Sequence, residues 1–495
     1  MIRKVLVANR GEIAIRVLKA CRELGIETAT IFSEADRDSL HLRYADEAHE
    51  VGPPPPVESY LAIEKIIEIA KRSGSDAIHP GYGFLAENPD FARACEEARI
   101  IYIGPSSEAL TLVGDKIAAR ETVRAAGVPI IPGTPGIREV EELIPAARRI
   151  GFPILLKAAL GGGGKGMRVI SREEELKGAF EASQREAGSA FGDDTVYIEK
   201  YLEYPRHIEF QILADHHGNI IHLNERECSI QRRHQKIVEE SPSVALDHAL
   251  RGRMGEAAKK VIKASGYTNA GTVEFMLDRD KNFYFLEVNA RIQVEHPVTE
   301  LVTGVDLVKQ QIMIASGEVL SLKQEDIGSR GHAIECRIYA EDPTRNFLPS
   351  PGKILFLREP SAPGLRVDSG IYTGFEVSPY YDPILSKLIA WGQNREEARV
   401  RALEGLKEYT ILGISTIVPF LINILEDDDF IRGNLHTRFV DEKITELNRT
   451  EPADLALIGY ALVKSQRKRE VVVESKREFD PWLDLGSWEL GSRGD

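Results

Sequence analysis

Cysteine is scarce in this chain of 495 residues, which contains only Cys21, Cys95, Cys228 and Cys336. No two of them form a CxxC pair, so their spacing excludes a disulfide framework and a zinc ribbon. Long hydrophobic runs are also lacking, since no stretch of about 18 apolar residues is present to span a bilayer. The N-terminus has neither the apolar core nor the cleavage site of a signal peptide. We therefore expect a soluble cytoplasmic protein.

Basic residues are in deficit, with 63 Lys and Arg against 77 Asp and Glu and a formal net charge of −14. Nucleic acids and anionic membranes select a net basic face. The charge balance therefore argues against either as a general partner. At about 150 residues per domain, the length favours about three domains.

The first hundred residues alternate short apolar runs with helical patterns. Strands are predicted at 5–8, 26–32, 76–79 and 100–103, and helices at 13–24, 61–70 and 91–98. This alternation is typical of a doubly wound parallel sheet. The loops at 9–12, 33–36 and 79–83 should then lie along one edge, where such sheets bind ligands. No GxGxxG motif follows the first strand, which argues against a dinucleotide site.

The remainder divides into a block up to about residue 203 and a block from 204 to 446 that is rich in β alternation. The second block closes with helices around 396–408 and 417–424. The predicted domain ranges are 1–114, 115–203, 204–330 and 331–446, followed by a polar tail at 447–495.

A glycine-rich stretch at 160–166 joins two β-like runs. A lone GxGxxG match is weak evidence, no helix follows it directly, and no Lys-Ser or Lys-Thr completes a Walker A loop. The pattern predicts a hairpin whose nearly bare backbone folds its amides over phosphate oxygens, with Lys157 as a fixed cation. A surface hairpin with an edge lysine is the alternative.

A second hairpin is predicted from two strands that flank a polar loop at 279–282. Symmetric pairing places Asp278 opposite Phe283 and Glu274 opposite Glu287. Two facing carboxylates are destabilising without a cation between them. Side-chain alternation along a continued strand would place on one face Glu287, Asn289, Arg291, Gln293 and Glu295.

The oxygen ligands of Glu274, Glu287 and Asn289 suit Mg²⁺ that carries nucleotide phosphates, and suit Zn²⁺ poorly. A solvent-facing strand edge with incidental charges is the alternative, although it does not explain why the carboxylates match in register.

A third stretch combines a polar strand face with a basic cluster. The face consists of His207, Glu209 and Gln211, and the cluster of Arg232, Arg233, His234 and Lys236. A basic cluster in an acidic chain indicates an anion pocket. A surface loop of mixed charge explains this segment equally well when it is taken alone.

Together these motifs resemble the biotin carboxylase family of the ATP-grasp superfamily. The likeness covers about residues 1–446 and lies in the glycine hairpin and in 4–14, 79–88, 114–116, 199–202, 228–236, 287–297, 334–342 and 379–382. The resemblance implies an α/β and α+β multidomain fold. Its parts are an N-terminal doubly wound parallel sheet, an ATP-grasp module with a mobile glycine-rich lid at about 130–203, and a C-terminal β-rich domain.

The resemblance also assigns residues to ATP and to Mg²⁺ or Mn²⁺. Glu274, Glu287 and Asn289 match the metal clamp. The residues that match nucleotide contacts are Lys116, Lys157, Gly163, Gly164, Glu199, Lys200, Tyr201, Leu202, His207, Gln231 and His234.

For the chemistry, the resemblance implies that bicarbonate attacks the γ-phosphoryl group of ATP to form carboxyphosphate. Lys236 and Arg291 match the bicarbonate ligands, with Gln293 and Val294 beside them, and Glu295 matches the general base. On resemblance alone, Arg337 steadies the enolate-like oxygen of biotin and Tyr82 lies near biotin.

None of the five methionines is followed by Lys, whereas this family attaches biotin within Met-Lys-Met. We therefore expect a separate subunit that carboxylates biotin on a carrier polypeptide and works with a carboxyltransferase partner, and the resemblance implies a homodimer. The alternatives are another ATP-grasp ligase that joins a carboxylate to an amine, and a non-catalytic ATP-binding subunit.

Overall fold

The computed structural model describes residues 2–158, 167–191 and 194–449. The tip of the glycine hairpin, with Gly163 and Gly164, and the tail from residue 450 lie outside the described residues.

The N-terminal part is a parallel sheet, as predicted. Its strands are ordered β3-β2-β1-β4-β5. Val5 and Val7 pack with the first helix, while Leu6 packs on the other face with the next two helices, so both faces are covered. The elements are β1 (Lys4–Val7), α1 (Gly11–Glu23), β2 (Glu27–Ser33), β3 (Glu47–Gly52), α2 (Ile63–Ser73), β4 (Ala77–His79), α3 (Pro89–Ala98) and β5 (Ile101–Tyr102).

The loops that follow β1, β2 and β4 meet at one edge of this sheet, which confirms the prediction. Asn9 Nδ2 donates to the carbonyl oxygens of Pro80 (2.7 Å) and Tyr82 (2.8 Å). Arg10 Nε donates to Asp36 Oδ2 at 2.6 Å. The edge is therefore held together by side chains of the first two loops and by carbonyl groups of the third.

A second, smaller unit has its own sheet, ordered β7-β6-β8, and its own apolar core, and we refer to residues 140–200 as the lid. Strands β6 and β7 pair antiparallel, so the predicted glycine-rich segment does join a hairpin. The elements from residue 107 are α4 (Ser107–Gly114), α5 (Lys116–Ala125), α6 (Val140–Ile150), β6 (Ile154–Ala158), β7 (Arg168–Ile170), α7 (Leu176–Phe191) and β8 (Val196–Lys200).

Residues 204–330 contain long strands, as predicted, and also helices that the β alternation did not predict. The unpredicted α8 starts where the Asp247 side chain accepts from the Leu250 N–H, and α10 starts similarly at Asp306. The elements are β9 (Arg206–Ala214), β10 (Ile220–Arg232), β11 (Gln235–Ser241), α8 (His248–Ala264), β12 (Asn269–Leu277), β13 (Phe283–Asn289), α9 (His296–Thr303) and α10 (Leu307–Ala315).

The C-terminal part combines strands with closing helices near the predicted positions. Its strands are β14 (His332–Tyr339), β15 (Glu341–Asp342), β16 (Leu348–Pro349), β17 (Gly352–Lys353), β18 (Phe356–Arg358), β19 (Leu365–Ser369), β20 (Glu376–Val377), β21 (Ile384–Gly392) and β22 (Thr410–Leu412). Its helices are α11 (Arg395–Glu408), α12 (Val418–Glu426), α13 (Asp428–Arg432) and α14 (Phe439–Leu447).

One eight-stranded antiparallel sheet runs through both of these parts, in the order β13-β12-β9-β10-β11-β14-β21-β19. Strand β11 pairs directly with β14, so the sheet crosses residue 330 without interruption. Side chains as far apart in sequence as His207 on β9 and Lys387 on β21 therefore project from the same sheet.

The β12–β13 hairpin confirms the predicted pairing of Glu274 with Glu287. The pairing of Asp278 with Phe283 was wrong, because Phe283 pairs with Leu277. A register shift between Glu274 and Phe275 accounts for the one-residue difference. Asp278 instead closes the loop, since its Oδ1 accepts from the Asn282 N–H at 2.8 Å.

The predicted continuation of this strand to Glu295 was also wrong, because β13 ends at Asn289. The Ala290 N–H donates to Glu87 Oε1 at 2.8 Å, a partner on the N-terminal part rather than on a neighbouring strand. Residues 290–295 form an irregular loop, the catalytic loop, which leads directly into α9. The irregular backbone of residues 290–295, and not the alternation of side chains along a strand, therefore places these side chains.

Candidate active site

A cavity of about 260 Å³ lies among α5, the lid strands β6 and β8, and the end of β13. The cationic side chains of Lys116, Arg120 and Lys157 line it, as does Glu287. Arg120 and Lys157 both form ion pairs with buried Glu199. This wall of cations attracts polyphosphate anions.

The electrostatics of Lys157 show how crowded these cations are. Burial, together with the nearby charges of Arg120 and Lys116, lowers the pKa of Lys157 to about 8. A bound anion reverses this effect because it favours the charged form of the lysine. The cavity is thus suited to phosphate groups.

The stretch at 199–202, which the resemblance assigns to nucleotide contacts, connects the lid to the large sheet. Glu199 lines the cavity, but Lys200 Nζ points towards lid carbonyl groups and donates to the oxygens of Gly151 (2.9 Å) and Phe152 (3.2 Å). The Tyr201 N–H donates to the Pro153 oxygen at 3.1 Å, and Leu202 is half-buried. The side chain of Lys200 therefore stabilises the lid internally and does not line the cavity.

His207 and Gln231 lie together on the floor of the site. Gln231 Nε2 lies 2.7 Å from His207 Nδ1, and His207 Nε2 lies 2.8 Å from Glu274 Oε2. His234 is different: it is exposed in the turn between β10 and β11, with φ +67°. Within the described part of the chain, no hydrogen bond or ion pair joins His234 to this group.

The facing carboxylates of Glu274 and Glu287 lie where the sequence predicts a metal clamp. Burial and the neighbouring Glu274 carboxylate raise the pKa of Glu287. Asn289 Nδ2 donates to Glu274 Oε1 at 2.8 Å, which brings the third predicted ligand to the pair. The donor set of two carboxylates and an amide fits Mg²⁺ or Mn²⁺, since a divalent cation relieves the repulsion.

Glu295 lies between two cations. Its Oε1 accepts from Lys236 Nζ at 2.8 Å, and its Oε2 accepts from Arg337 Nη2 at 3.0 Å. Burial raises the pKa of Glu295, but the attraction of Lys236 and Arg337 outweighs it and holds the pKa well below the usual range. Glu295 is therefore an ionised carboxylate, and each of its two oxygens is held by a hydrogen bond from a cationic side chain.

Lys236 connects Glu295 to the pair formed by Glu274 and Glu287. Its Nζ lies 2.5 Å from Glu209, 2.7 Å from Glu274 and 2.8 Å from Glu295. Burial lowers the pKa of Lys236, but the three carboxylates raise it well above its ordinary value. The ammonium ion thus stays charged at the centre of the site.

A second cavity, of about 350 Å³, adjoins this cluster. It is lined by four of the predicted substrate residues, Tyr82, Arg291, Val294 and Arg337. The other two, Lys236 and Gln293, do not line this cavity, and Gln293 lies deeper and donates from Nε2 to Glu274 Oε1 at 2.9 Å. The structure therefore brings the predicted bicarbonate and biotin residues together.

The sequence left several members of this site without a role. Fully buried Arg226 donates from Nε to Glu209 Oε1 at 2.5 Å and from Nη2 to Gln293 Oε1 at 2.6 Å. Glu239 accepts from Arg337 Nε at 2.6 Å. A signal was available for Glu209, on the polar strand face. Arg226 lies opposite Glu209 in the register of β9 and β10 but also bonds to Gln293, and Glu239 bonds to Arg337, and these two partners are far away in the sequence.

Family models match most of the chain. Those described as "Biotin carboxylase, N-terminal domain", "Carbamoyl-phosphate synthase L chain, ATP binding domain" and "Biotin carboxylase C-terminal domain" match residues 1–110, 115–323 and 335–442.

Similar proteins carry consistent names. A pyruvate carboxylase subunit from Methanothermobacter thermautotrophicus is 56% identical over 443 residues, which are 89% of this chain and 90% of that protein. Biotin carboxylase 1 of Bacillus subtilis is 55% identical over 443 residues, 89% of this chain and 98% of that protein.

A solved structure agrees with both. The biotin carboxylase domain dimer of Hydrogenobacter thermophilus 2-oxoglutarate carboxylase, in complex with MgADP, ADP and bicarbonate, is similar with a TM-score of 0.85 and 49% identity. The match covers 91% of this chain and all of that chain. The chain belongs to the biotin carboxylase family. Among the described helices, none has the length and apolar character needed to cross a membrane.

Proposed function

We propose that the protein carboxylates biotin, carried on a separate polypeptide, with ATP and bicarbonate as co-substrates. The observation that carries this function is the placement of Glu295 between Lys236, which contacts Glu274, and Arg337, which lines the second cavity. One cavity is lined by cations suited to phosphates, and the other by Arg291 and Tyr82. The likeness to a biotin carboxylase domain in complex with MgADP and bicarbonate supports the same function.

In this proposal the first cavity holds the nucleotide. Lys116 and Lys157 bind the phosphates, and Glu274, Glu287 and Asn289 hold Mg²⁺ or Mn²⁺. When bound, the ion neutralises phosphate charge. His207 and Gln231 hold the Glu274 side chain in place, because His207 contacts Glu274 and Gln231 contacts His207.

Bicarbonate then lies near Lys236 and Arg291, which neutralise the approach of one anion to another. Glu295 accepts the bicarbonate proton, and a bicarbonate oxygen attacks the γ-phosphorus with release of ADP. The carboxyphosphate product breaks down to CO₂ and phosphate. The phosphate takes the proton from the biotin ureido nitrogen, Arg337 stabilises the resulting oxyanion, and the nitrogen attacks CO₂.

The proposed partners are a biotin carrier polypeptide and a carboxyltransferase subunit, and the proposed assembly is a homodimer. Support comes from relatives named as subunits of carboxylases and from a related domain solved as a dimer. A cytoplasmic location remains a prediction from the sequence.

The test of the proposed function is ATP cleavage by the full chain with saturating Mg²⁺. We expect cleavage that requires bicarbonate and rises sharply when free biotin is added. An absence of biotin stimulation would support instead a different ATP-grasp ligase or a non-catalytic nucleotide-binding subunit. A ligase would respond to an amine substrate, and a non-catalytic subunit would bind MgADP without cleaving ATP.

Substituting Glu287→Gln should separate function from stability. We expect the Mg²⁺ concentration for half-maximal activity to rise at least about tenfold. The Tm without metal or nucleotide should rise as well, because the ionised Glu287 faces Glu274 and destabilises the folded state.

The matched control for this substitution is Asp280→Asn, which removes the same charge from the exposed loop of the same hairpin. This control should leave both the Mg²⁺ dependence and the Tm unchanged. An unchanged Mg²⁺ dependence in Glu287→Gln, measured by activity titration, would remove Glu287 from the clamp.

A further inference from the structure

Lys387 is a fully buried lysine in the middle of β21, and its ammonium group has partners on other elements. Nζ lies 2.7 Å from the Val294 carbonyl oxygen, 3.2 Å from Glu12 Oε1 and 3.9 Å from Asp368 Oδ2. These acceptors belong to the catalytic loop, to α1 and to β19. One ammonium ion therefore joins the N-terminal part, the catalytic loop and the C-terminal part.

Stability alone does not account for a lysine at this position. Buried ion pairs are often no better than well-packed apolar residues of the same volume. In the register of β14 and β21, Lys387 also lies directly opposite Arg337, and like charges in that position repel. Burial lowers the pKa of Lys387, but Glu12, Glu335 and Asp368 raise it above its ordinary value, so the group stays charged.

The contact with Val294 fixes the backbone immediately before Glu295. Elsewhere the catalytic loop is held by Glu87, which accepts from the Ala290 N–H, and by the Gln293 side chain, which accepts from Arg226 Nη2 at 2.6 Å and donates to Glu274 Oε1 at 2.9 Å. Neither sheet nor helix hydrogen bonds constrain residues 290–294. The Lys387 hydrogen bond therefore fixes the last peptide from which the Glu295 side chain is directed.

Through its contact with Glu12, Lys387 is also connected to the lining of the second cavity. Glu12 Oε1 accepts the hydroxyl hydrogen of Tyr82 as well as the Lys387 contact, and both Glu12 and Tyr82 line that cavity. The same ammonium ion thus sets the distance between the wall that carries Tyr82 and the loop that carries Glu295.

We propose that Lys387 is a positioning residue for biotin carboxylation. Its ammonium group holds the Val294 peptide in a fixed position relative to Glu12, so that the Glu295 carboxylate is directed at bicarbonate. This inference rests on the proposed function. Lys387 has no reaction role of its own, because it is fully buried and lines neither cavity. Its effect is transmitted through the catalytic loop.

The test compares Lys387→Met with the wild-type chain. We expect kcat for biotin-dependent ATP cleavage to fall about 100-fold, because small displacements of a catalytic group cost about that much. The KM for ATP and the affinity for MgADP should stay within about twofold, since the nucleotide cavity does not include Lys387.

The pH profile separates positioning from general damage. With the base displaced, carbonate, which needs no proton acceptor, becomes the productive substrate. The residual rate of Lys387→Met should then rise about tenfold per pH unit in the alkaline range, as it should in Glu295→Gln. A merely structural role for Lys387 would lower the rate equally at every pH.

Lys443→Met is the matched control, because Lys443 pairs with Asp427 and Asp429 far along the chain among the closing helices. This control should keep the wild-type rate and pH profile. Should Lys387→Met fail to fold, Glu12→Gln is the second variant. It removes the charge of the anchoring carboxylate, and we expect a fall of about tenfold in kcat with the same alkaline rise.

Each result is decisive. Wild-type kcat in either folded variant, or a loss of rate with an unchanged pH profile, would overturn the role of Lys387. An absence of biotin-stimulated ATP cleavage in the wild-type chain would instead overturn the proposed function itself.

Discussion

Replacing Glu295 by Gln should reduce biotin carboxylation about 1,000-fold, within the range that general-base catalysis contributes. Gln keeps the size of the side chain but cannot take a proton from bicarbonate. Nucleotide binding should persist, since Glu295 is absent from the lining of the nucleotide cavity. The measurements are carboxylation of free biotin and MgADP affinity by titration.

Glu225→Gln serves as the control for Glu295→Gln. Glu225 is equally buried and pairs with Arg251 at 2.7 Å, but its partners are Arg251 and the Ser243 N–H and not Lys236 or Arg337. We expect this control to lose stability and retain carboxylation. Near wild-type activity in Glu295→Gln would mean that another group removes the proton.

Replacing Arg337 by Gln should abolish the stimulation of ATP cleavage by biotin, with a fall of about 100- to 1,000-fold in the biotin-dependent rate. The guanidinium group is lost at the point where we place the biotin oxyanion, and Glu295 loses one of its two cations. The KM for ATP should change little. Steady-state rates with and without biotin measure both effects.

Arg399→Gln controls for the loss of a buried arginine. Arg399 pairs with Glu396 and donates to the Leu425 oxygen at 2.8 Å, within the C-terminal helices. Biotin stimulation should survive in this control. If biotin still stimulated Arg337→Gln to the wild-type extent, the oxyanion would have to be stabilised elsewhere.

Local patterns predicted the parts of the site that depend on nearby residues. The pairing of Glu274 with Glu287 follows from counting across one short hairpin, and a single bulge was enough to spoil the neighbouring pairing of Asp278 with Phe283. The alternation of His207 and Glu209 likewise predicted the polar strand face. Short-range geometry is therefore legible from sequence.

Long-range contacts explain what was missed. The strand after Asn289 stops because Ala290 bonds to Glu87, which is 203 residues away in the sequence, and no local pattern records that contact. Lys387 did leave a signal, since it interrupts an apolar strand just as Lys157 does. For Lys157 the pattern predicted a phosphate-binding cation, because a glycine-rich stretch follows that residue in the sequence. No motif next to Lys387 pointed to a role.

The continuity of the large sheet across residue 330 has an evolutionary consequence. A nucleotide-binding module that ended at β11 would expose an unpaired strand edge, which invites aggregation. It would also lose Arg337, which the following strand supplies to Glu295. A chain break near residue 330 would therefore be selected against through aggregation and through lost turnover at once.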